Sequence, residues 1–223
     1  GVVASPLQVA ELGQVTHIGL GFRHVCAVLG SGQVVCWGRN DFSQLGRTST
    51  GSGDAQAFTA LVPNLDDAIA VASGDSYSCA LREVGSVVCW GSLFAIDLSN
   101  TLHLAPAEVP ELSGAVQLSV GSSSACALRR DGSVACWGGN AFGELGTGSF
   151  NGTLIPQPVV ELDGSPLRDV VLLSTTGANG GRSMCARRRS GAVACWGAND
   201  AGQLADGTTS NRSRPVAVED LPD

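Results

Sequence analysis

Eight cysteines fall into four pairs, and in every pair the two residues are ten positions apart. The pairs are Cys26 and Cys36, Cys79 and Cys89, Cys126 and Cys136, and Cys185 and Cys195. Trp-Gly follows the second cysteine of each pair. A glycine stands four positions before that cysteine, at Gly32, Gly85, Gly132 and Gly191. A unit that recurs about every 50 residues is typical of propellers and related repeat arrays.

The position of the glycine predicts how each cysteine pair is arranged. If Cys126 faces Cys136 across an antiparallel hairpin, then Arg129 faces Ser133 and residues 130–132 form the connection. The last residue of such a loop adopts a left-handed conformation, which glycine takes without steric cost. Opposed residues lie about 4.5 to 5.5 Å apart at Cα, within the reach of a disulfide. We therefore predict four hairpin disulfides.

Reduced core thiols and a metal site are the two alternatives for the cysteines. Zinc sites usually use cysteines two to four residues apart, combined with more Cys or His, and this spacing does not occur here. Disulfides persist in oxidising compartments. We therefore expect a secreted, periplasmic or cell-surface protein.

A second motif, Pro-x-x-Val-x-x-Leu, divides the chain into units. Copies begin at Pro6, Pro106, Pro156 and Pro215, with a weaker copy at Thr59. Short apolar runs between glycine-rich, polar turns predict strands. We expect one all-β domain over residues 1–223, with a strand of a preceding blade at 1–12. Four repeats follow, at 13–65, 66–112, 113–162 and 163–223.

The units resemble the repeats of the regulator of chromosome condensation family. The resemblance rests on Gly-x-x-His at 21–24, on Asp-Gly at 131–132, and on segments with Trp-Gly, then Asn, then a partial match to the family's Gly-Gln-Leu-Gly, namely Gln44-Leu45-Gly46, Gly143-Glu144-Leu145-Gly146 and Gly202-Gln203-Leu204. These last segments lie at 37–46, 137–146 and 196–204, whereas the second unit departs from the pattern after Trp90-Gly91. The resemblance implies β-propeller blades and a packing role for His24.

The family usually closes seven blades, and this chain has four units. Both ends supply the Pro-x-x-Val-x-x-Leu strand, and the two copies would compete for one place in a closed ring. We therefore expect an open arc or part of a larger ring. A ring completed by another copy and a closed four-bladed ring are the alternatives.

The sequence predicts no catalytic, metal or cofactor site. The three histidines, at 17, 24 and 103, do not recur between units, and the common hydrolase, zinc-protease and dinucleotide motifs are missing. The chain contains no lysine, which excludes phosphate-loop and Schiff-base mechanisms. Oxygen donors at Asn199, Asp200 and Asp206 do not have the spacing of a calcium loop.

The charge of the chain argues against two classes of partner. Thirteen arginines stand against 20 acidic residues, a net charge of -7. Nucleic acids and anionic membranes attract basic surfaces. No apolar run approaches the roughly 20 residues of a membrane helix. We expect an unidentified protein partner, without nucleic acid binding or membrane insertion.

The predicted binding residues lie in the variable loops after Trp-Gly. They are Arg39, Asn40, Phe42, Phe94, Asn140 and Phe142. If these loops share one face, their phenylalanines form apolar anchors among polar neighbours, as binding hot spots do. Local packing of each ring under its own loop is the alternative.

The main functional hypothesis is accordingly a non-catalytic protein-binding scaffold. A structural subunit that assembles through open propeller ends into a ring or filament is the second hypothesis. A glycan-binding protein or an enzyme is the third.

Overall fold

The structure, a computed structural model, describes residues 9, 12–49, 54–92, 102–176 and 180–218. Within these residues there is no helix, and sixteen strands form four antiparallel sheets, which we call blades 1 to 4. Blade 1 contains β1 (Val15–Leu20), β2 (His24–Leu29), β3 (Val34–Arg39) and β4 (Ala55–Leu61). Blade 2 contains β5 (Ala68–Ser73), β6 (Tyr77–Arg82), β7 (Val87–Ser92) and β8 (Leu102–Glu108). Blade 3 contains β9 (Ala115–Val120), β10 (Ser124–Arg129), β11 (Val134–Gly138) and β12 (Thr153–Pro158). Blade 4 contains β13 (Val170–Thr175), β14 (Ser183–Arg188), β15 (Val193–Gly197) and β16 (Arg212–Ala217).

The blades follow one another as an open arc. In each blade the strands pair in chain order. The first strands of successive blades contact each other, β1 with β5, β5 with β9 and β9 with β13. Among the described residues the four sheets are not joined into a closed ring. The prediction of an all-β fold with four propeller blades is confirmed.

The predicted hairpin register is confirmed in all four blades. Each cysteine faces its partner directly, and the four disulfides have Cα separations of 4.0 to 4.2 Å. In blade 3 the Arg129 amide donates to the Ser133 carbonyl, so the Cys126–Cys136 pair falls at a non-hydrogen-bonded site, where opposed Cα atoms lie closest. The four turn glycines have φ between 79° and 95°, in the left-handed region.

The divergence of the second unit does not extend to its hairpin. Cys79 in β6 faces Cys89 in β7, and their Cα atoms lie 4.1 Å apart. Cys89 is buried and also pairs with Ala107 of β8, in the middle of the blade. The predicted disulfide between Cys79 and Cys89 is therefore confirmed, although the sequence departs from the repeat pattern two residues after Cys89.

Apolar side chains fill the space between successive blades. Between blades 1 and 2, Val34 and the Cys26–Cys36 disulfide pack with Val71 and Trp90. The next two layers are built in the same way, with the disulfide of the earlier blade beside the tryptophan of the later one. We call the side of a blade that carries its disulfide the front face and the side that carries its tryptophan the back face.

The Pro-x-x-Val-x-x-Leu motif connects each blade to the next. Pro106 lies in β8, the Val109 amide donates to the Val87 carbonyl at 2.8 Å, and Leu112 is buried between blades 2 and 3. After β12, residues 161–165 form an additional turn, so Leu162 is exposed and Leu167 takes the buried place. Of the predicted strand at 1–12, all but residues 9 and 12 lies outside the described residues.

Candidate functional site

The eight cysteines belong to the framework that carries the loops. All of them are oxidised, in the pairs Cys26–Cys36, Cys79–Cys89, Cys126–Cys136 and Cys185–Cys195. Each bond joins the second and third strands of one blade, just before the loop that follows Trp-Gly. The two alternatives considered for these residues, reduced thiols and metal ligands, are therefore wrong, because no cysteine retains a free sulfur.

The loops that follow Trp-Gly in blades 1, 3 and 4 are organised by an asparagine. The Asn40 side-chain oxygen accepts a hydrogen bond from the Leu45 amide at 3.1 Å, and its nitrogen donates to the Asp54 carboxylate at 3.1 Å. Asn140 accepts from the Leu145 amide at 2.9 Å and donates to the Ser149 carbonyl at 2.9 Å. Asn199 accepts from the Leu204 amide in the same way. One side chain thus ties the two limbs of each loop together.

Two of the predicted binding residues are these loop-organising asparagines. Asn40 is 1% exposed and Asn140 is 2% exposed. Their amides are engaged inside their own loops, so we assign them the positioning of the neighbouring phenylalanines. The recurrence of Asn at the same distance from Trp in three units was the sequence signal for this role.

A Gln or Glu joins each of two loops to the following blade. The Gln44 side chain accepts from the Phe42 amide at 2.9 Å, and its backbone carbonyl accepts from the Trp90 indole at 2.9 Å. Glu144 accepts from the Phe142 amide at 2.7 Å and, through its carbonyl, from the Trp196 indole at 2.8 Å. The backbone beside each phenylalanine is therefore anchored across the blade boundary.

Trp137, the third tryptophan that is buried between blades, differs from Trp90 and Trp196 in the hydrogen bonding of its indole. The indole nitrogen of Trp137 is buried without a hydrogen-bond partner in the part of the chain that the structure describes. The loop that precedes it along the arc belongs to the divergent second unit, which departs from the repeat pattern after Trp90-Gly91. Seven residues after its tryptophan, where the other two loops carry Gln44 and Glu144, the second unit has Asp97, which lies outside the described residues.

The two described phenylalanines of the predicted site have different surroundings. Phe42 is 43% exposed and borders a cavity of about 400 Å³. Phe142 is half-buried, and the Arg182 guanidinium lies 4.4 Å from its ring centroid. Phe94 lies outside the described residues. Phe42 and Phe142 stand on loops two blades apart.

Arg39 lines a second cavity, of about 590 Å³, at the end of blade 1. Its guanidinium pairs with the Asp41 carboxylate. Arg23 lines the same cavity, and its guanidinium lies 4.9 Å from the Phe22 ring centroid. The charge of Arg39 is therefore partly balanced within its own loop.

His24 and Tyr77 occupy the same position in blades 1 and 2, under the loop face. His24 Nε2 shares a hydrogen bond of 2.8 Å with the Ser78 hydroxyl, and the Tyr77 hydroxyl donates to the Ser124 carbonyl at 2.8 Å. Burial lowers the pKa of His24 to about 4 and raises the pKa of Tyr77. Both side chains are neutral at physiological pH and tie their blade to the next.

The described ranges contain no group of three or more His, Cys, Asp or Glu residues that could hold a metal ion. In the loop of blade 4, Asn199 donates to Asp206, and Asp206 also pairs with Arg212. These oxygen donors are occupied by groups of the chain itself. Among the same residues no helix is long and apolar enough to span a membrane.

Two family models described as the regulator of chromosome condensation (RCC1) repeat match the chain. One matches residues 15–44 and 115–144, and the other matches residues 31–81 and 131–174. Together they cover more than half of the sequence.

Several solved propellers are similar to this chain. Yeast RCC1 (Prp20), solved with Kap60, is 25% identical with a TM-score of 0.75, over 92% of this chain and 49% of that one. Prp20p from Saccharomyces cerevisiae is 25% identical with a TM-score of 0.73, over 92% and 50%. Human WBSCR16 is 19% identical with a TM-score of 0.74, over 96% and 54%. The chain thus spans about half the length of these solved structures.

Proposed function

The chain belongs to the regulator of chromosome condensation repeat family, and we propose that it is a non-catalytic scaffold that binds a partner protein through its loop face. Similar solved propellers bind proteins: yeast RCC1 was solved bound to Kap60, and Prp20p was characterised for binding to Gsp1p and histones. Because this chain spans about half of those proteins, their partners are not assigned to it.

The observation that carries the proposal is an exposed aromatic ring on a rigid loop. Phe42 is exposed, while the backbone around it is held by Asn40, by Gln44 and, through Gln44, by Trp90. Because the backbone that carries the ring is already held, the loop loses little conformational freedom when a partner covers the ring. Aromatic anchors beside a cavity are typical of the residues that dominate protein interfaces.

We place this activity in an oxidising compartment. Four disulfides lie within the layers or on the front face of the blades. Such bonds persist in secreted, periplasmic and surface proteins and are rare in reducing cytosol. The proposed partner is therefore another exported or surface protein.

The test is a capture experiment on the native secretome with immobilised protein, followed by mass spectrometry. We expect Phe42→Ala to lose the captured partner. The control is Val84→Ala, because Val84 is also apolar and exposed but lies in the β6–β7 turn, at the other end of the strands. Equal capture by wild type and Phe42→Ala, or equal loss with Val84→Ala, would contradict the proposal.

A second candidate function is self-association through the back face of blade 1. Ile18 on this face is 57% exposed and Trp37 is half-buried, whereas their counterparts Val71 and Trp90 in blade 2 are buried. An apolar sheet face of this kind is buried wherever a further blade covers it, as between blades 1 and 2.

Sedimentation velocity over a range of concentrations tests this candidate. We expect the mean mass to rise with concentration for wild type and to stay that of a monomer for Ile18→Asp. Val116→Asp is the control, because Val116 is an exposed apolar residue of β9 away from that face. A wild-type mass that does not depend on concentration would rule this candidate out.

A further inference from the structure

Among the described residues the same loop-to-blade junction occurs twice, once open and once closed. The junctions are equivalent because Gln44 and Glu144 make the same two contacts, one with the local phenylalanine amide and one with the next tryptophan. On the following blade, the Ser76 and Arg182 carbonyls occupy matching positions, since each accepts a 2.9 Å hydrogen bond from the amide of the residue directly after Trp-Gly in its own blade, Ser92 and Ala198 respectively.

At the closed junction, between blades 3 and 4, an arginine covers the phenylalanine. The Arg182 guanidinium lies 4.4 Å from the centroid of the Phe142 ring, a cation–π geometry. The nearby Glu144 contributes negative charge: burial raises its pKa, and the positive charge of Arg182 opposes that rise. The Phe142 ring thus holds the guanidinium, and the Glu144 carboxyl is a negative group in its neighbourhood.

At the open junction, between blades 1 and 2, Ser76 stands where Arg182 stands in blade 4. Its short side chain supplies no cation and leaves the Phe42 ring 43% exposed. A cavity of about 400 Å³ lies here. Its lining residues are Phe42, Asp75, Ser76, Tyr77, Ser92, Ser122 and Ser123.

Apart from the missing arginine, the open junction differs from the closed one in the source of its carboxylate. Gln44 is neutral where Glu144 is acidic, and the carboxylate is supplied instead by Asp75, which accepts a hydrogen bond from the Ser122 hydroxyl. An aromatic ring on one side and a carboxylate on another favour a planar cation over a neutral or anionic group.

We propose that this cavity binds an arginine side chain of the partner protein, stacked on Phe42 as Arg182 is stacked on Phe142 and facing the Asp75 carboxylate. Arginine fits better than lysine, because its planar guanidinium stacks on aromatic rings and is more weakly hydrated than an ammonium group. The net charge of -7 favours the approach of a basic partner to the chain as a whole. The inference rests on the proposed function and names the partner's chemistry.

The first test uses a small probe and needs no identified partner. N-acetyl-arginine amide is titrated into the full chain, and the ring signals of Phe42 and the amide signals of Ser122 are followed by NMR. We expect saturable shifts, with at least about fivefold weaker binding of N-acetyl-citrulline amide, which has the same shape without the charge. Phe42→Ala and Asp75→Asn should lose the response, and the matched variant Phe142→Ala should keep it.

The second test closes the open junction from within. Ser76→Arg supplies the missing guanidinium, so we expect it to shift the Phe42 ring signals as the probe does and to abolish probe binding. An unchanged thermal midpoint establishes that this variant and Asp75→Asn are folded. Equal response to arginine and citrulline probes, or probe binding that survives Ser76→Arg, would overturn the inference.

The capture experiment separates the inference from the function on which it rests. If Phe42→Ala loses the partner while Ser76→Arg still captures it, the loop face binds protein but not through an arginine in this cavity. If wild type captures no partner yet the probe binds as described, the cavity is an arginine site and the scaffold proposal fails.

Discussion

At the scale of single residues, the surroundings of the predicted anchors depend on contacts made far along the chain. Phe42 and Phe142 occupy the same position of the repeat, and sequence reasoning predicted both as anchors. Their surroundings differ because the residue of the next blade that lies beside the ring is Ser76 for Phe42 and Arg182 for Phe142. No local spacing reveals this difference, since it requires knowing which loop lies over which strand of the next blade.

The buried asparagines give the first residue-scale prediction. Replacing Asn40 with Ala leaves the Leu45 amide without its acceptor, so the free energy of unfolding should fall by about 1 to 3 kcal/mol. Urea unfolding followed by circular dichroism measures this loss. Asn151→Ala, an exposed substitution in the loop of blade 3, should stay within about 0.5 kcal/mol of wild type. Equal stability of Asn40→Ala and wild type would show that the loop does not need this side chain.

His24 gives a prediction about pH. Burial lowers its pKa from 6.5 to about 4, so between these values the unfolded state binds a proton that the folded state does not. Stability is therefore full above pH 6.5 and falls as the pH drops toward 4. Between pH 7 and pH 5, His24 should lower the free energy of unfolding by about 2 kcal/mol.

Urea titrations at the two pH values measure this effect. His24→Gln should remove that share of the pH dependence, and His17→Gln, at an exposed position of β1, should retain it. If wild type and His24→Gln lost the same free energy of unfolding between pH 7 and pH 5, the burial of His24 would not explain the pH dependence.

At the scale of strands and hairpins, the sequence was most informative. The fixed cysteine spacing and the turn glycine predicted the facing pairs, because a hairpin with a short loop admits few registers. The pair Cys79 and Cys89 was predicted as securely as the others, since the hairpin rule does not depend on the divergent loop that follows. The strand that bears Pro-x-x-Val-x-x-Leu was harder to interpret, since its valine and leucine pack beyond the strand end. The extra turn at 161–165 shifts the buried leucine and follows from no repeat rule.

The hairpins also predict an order of disulfide reduction. Cys185 is half-buried, whereas both cysteines of the other three pairs are buried. Because a reducing thiol must reach a sulfur atom, the Cys185–Cys195 bond should open first under native conditions. Timed alkylation with peptide mass mapping measures the order. In urea, where all the sulfur atoms are accessible, the four bonds should open at similar rates. If Cys126–Cys136 were reduced first under native conditions, the exposure of the sulfur atoms would not determine the order.

At the scale of the whole molecule, the two terminal faces of the arc differ from the internal ones. The front face of blade 4 carries Arg187 where the first three blades have Val28, Leu81 and Leu128. The back face of blade 1 stays apolar, with Ile18 and Trp37. The count of units and the resemblance to the family predicted an open arc, but only the packing of the blades shows which terminal face remains apolar.

The open back face of blade 1 can be followed through tryptophan fluorescence. Trp90, Trp137 and Trp196 are fully buried and Trp37 is half-buried, so acrylamide should quench mainly Trp37. Trp37→Phe should remove the quenchable component, while Trp137→Phe should leave it in place. If copies associate through this face, the quenchable component of wild type should shrink as protein concentration rises, because a covering blade buries the indole as blade 1 buries Trp90. Quenching that is distributed equally over the four indoles would contradict an exposed back face on blade 1.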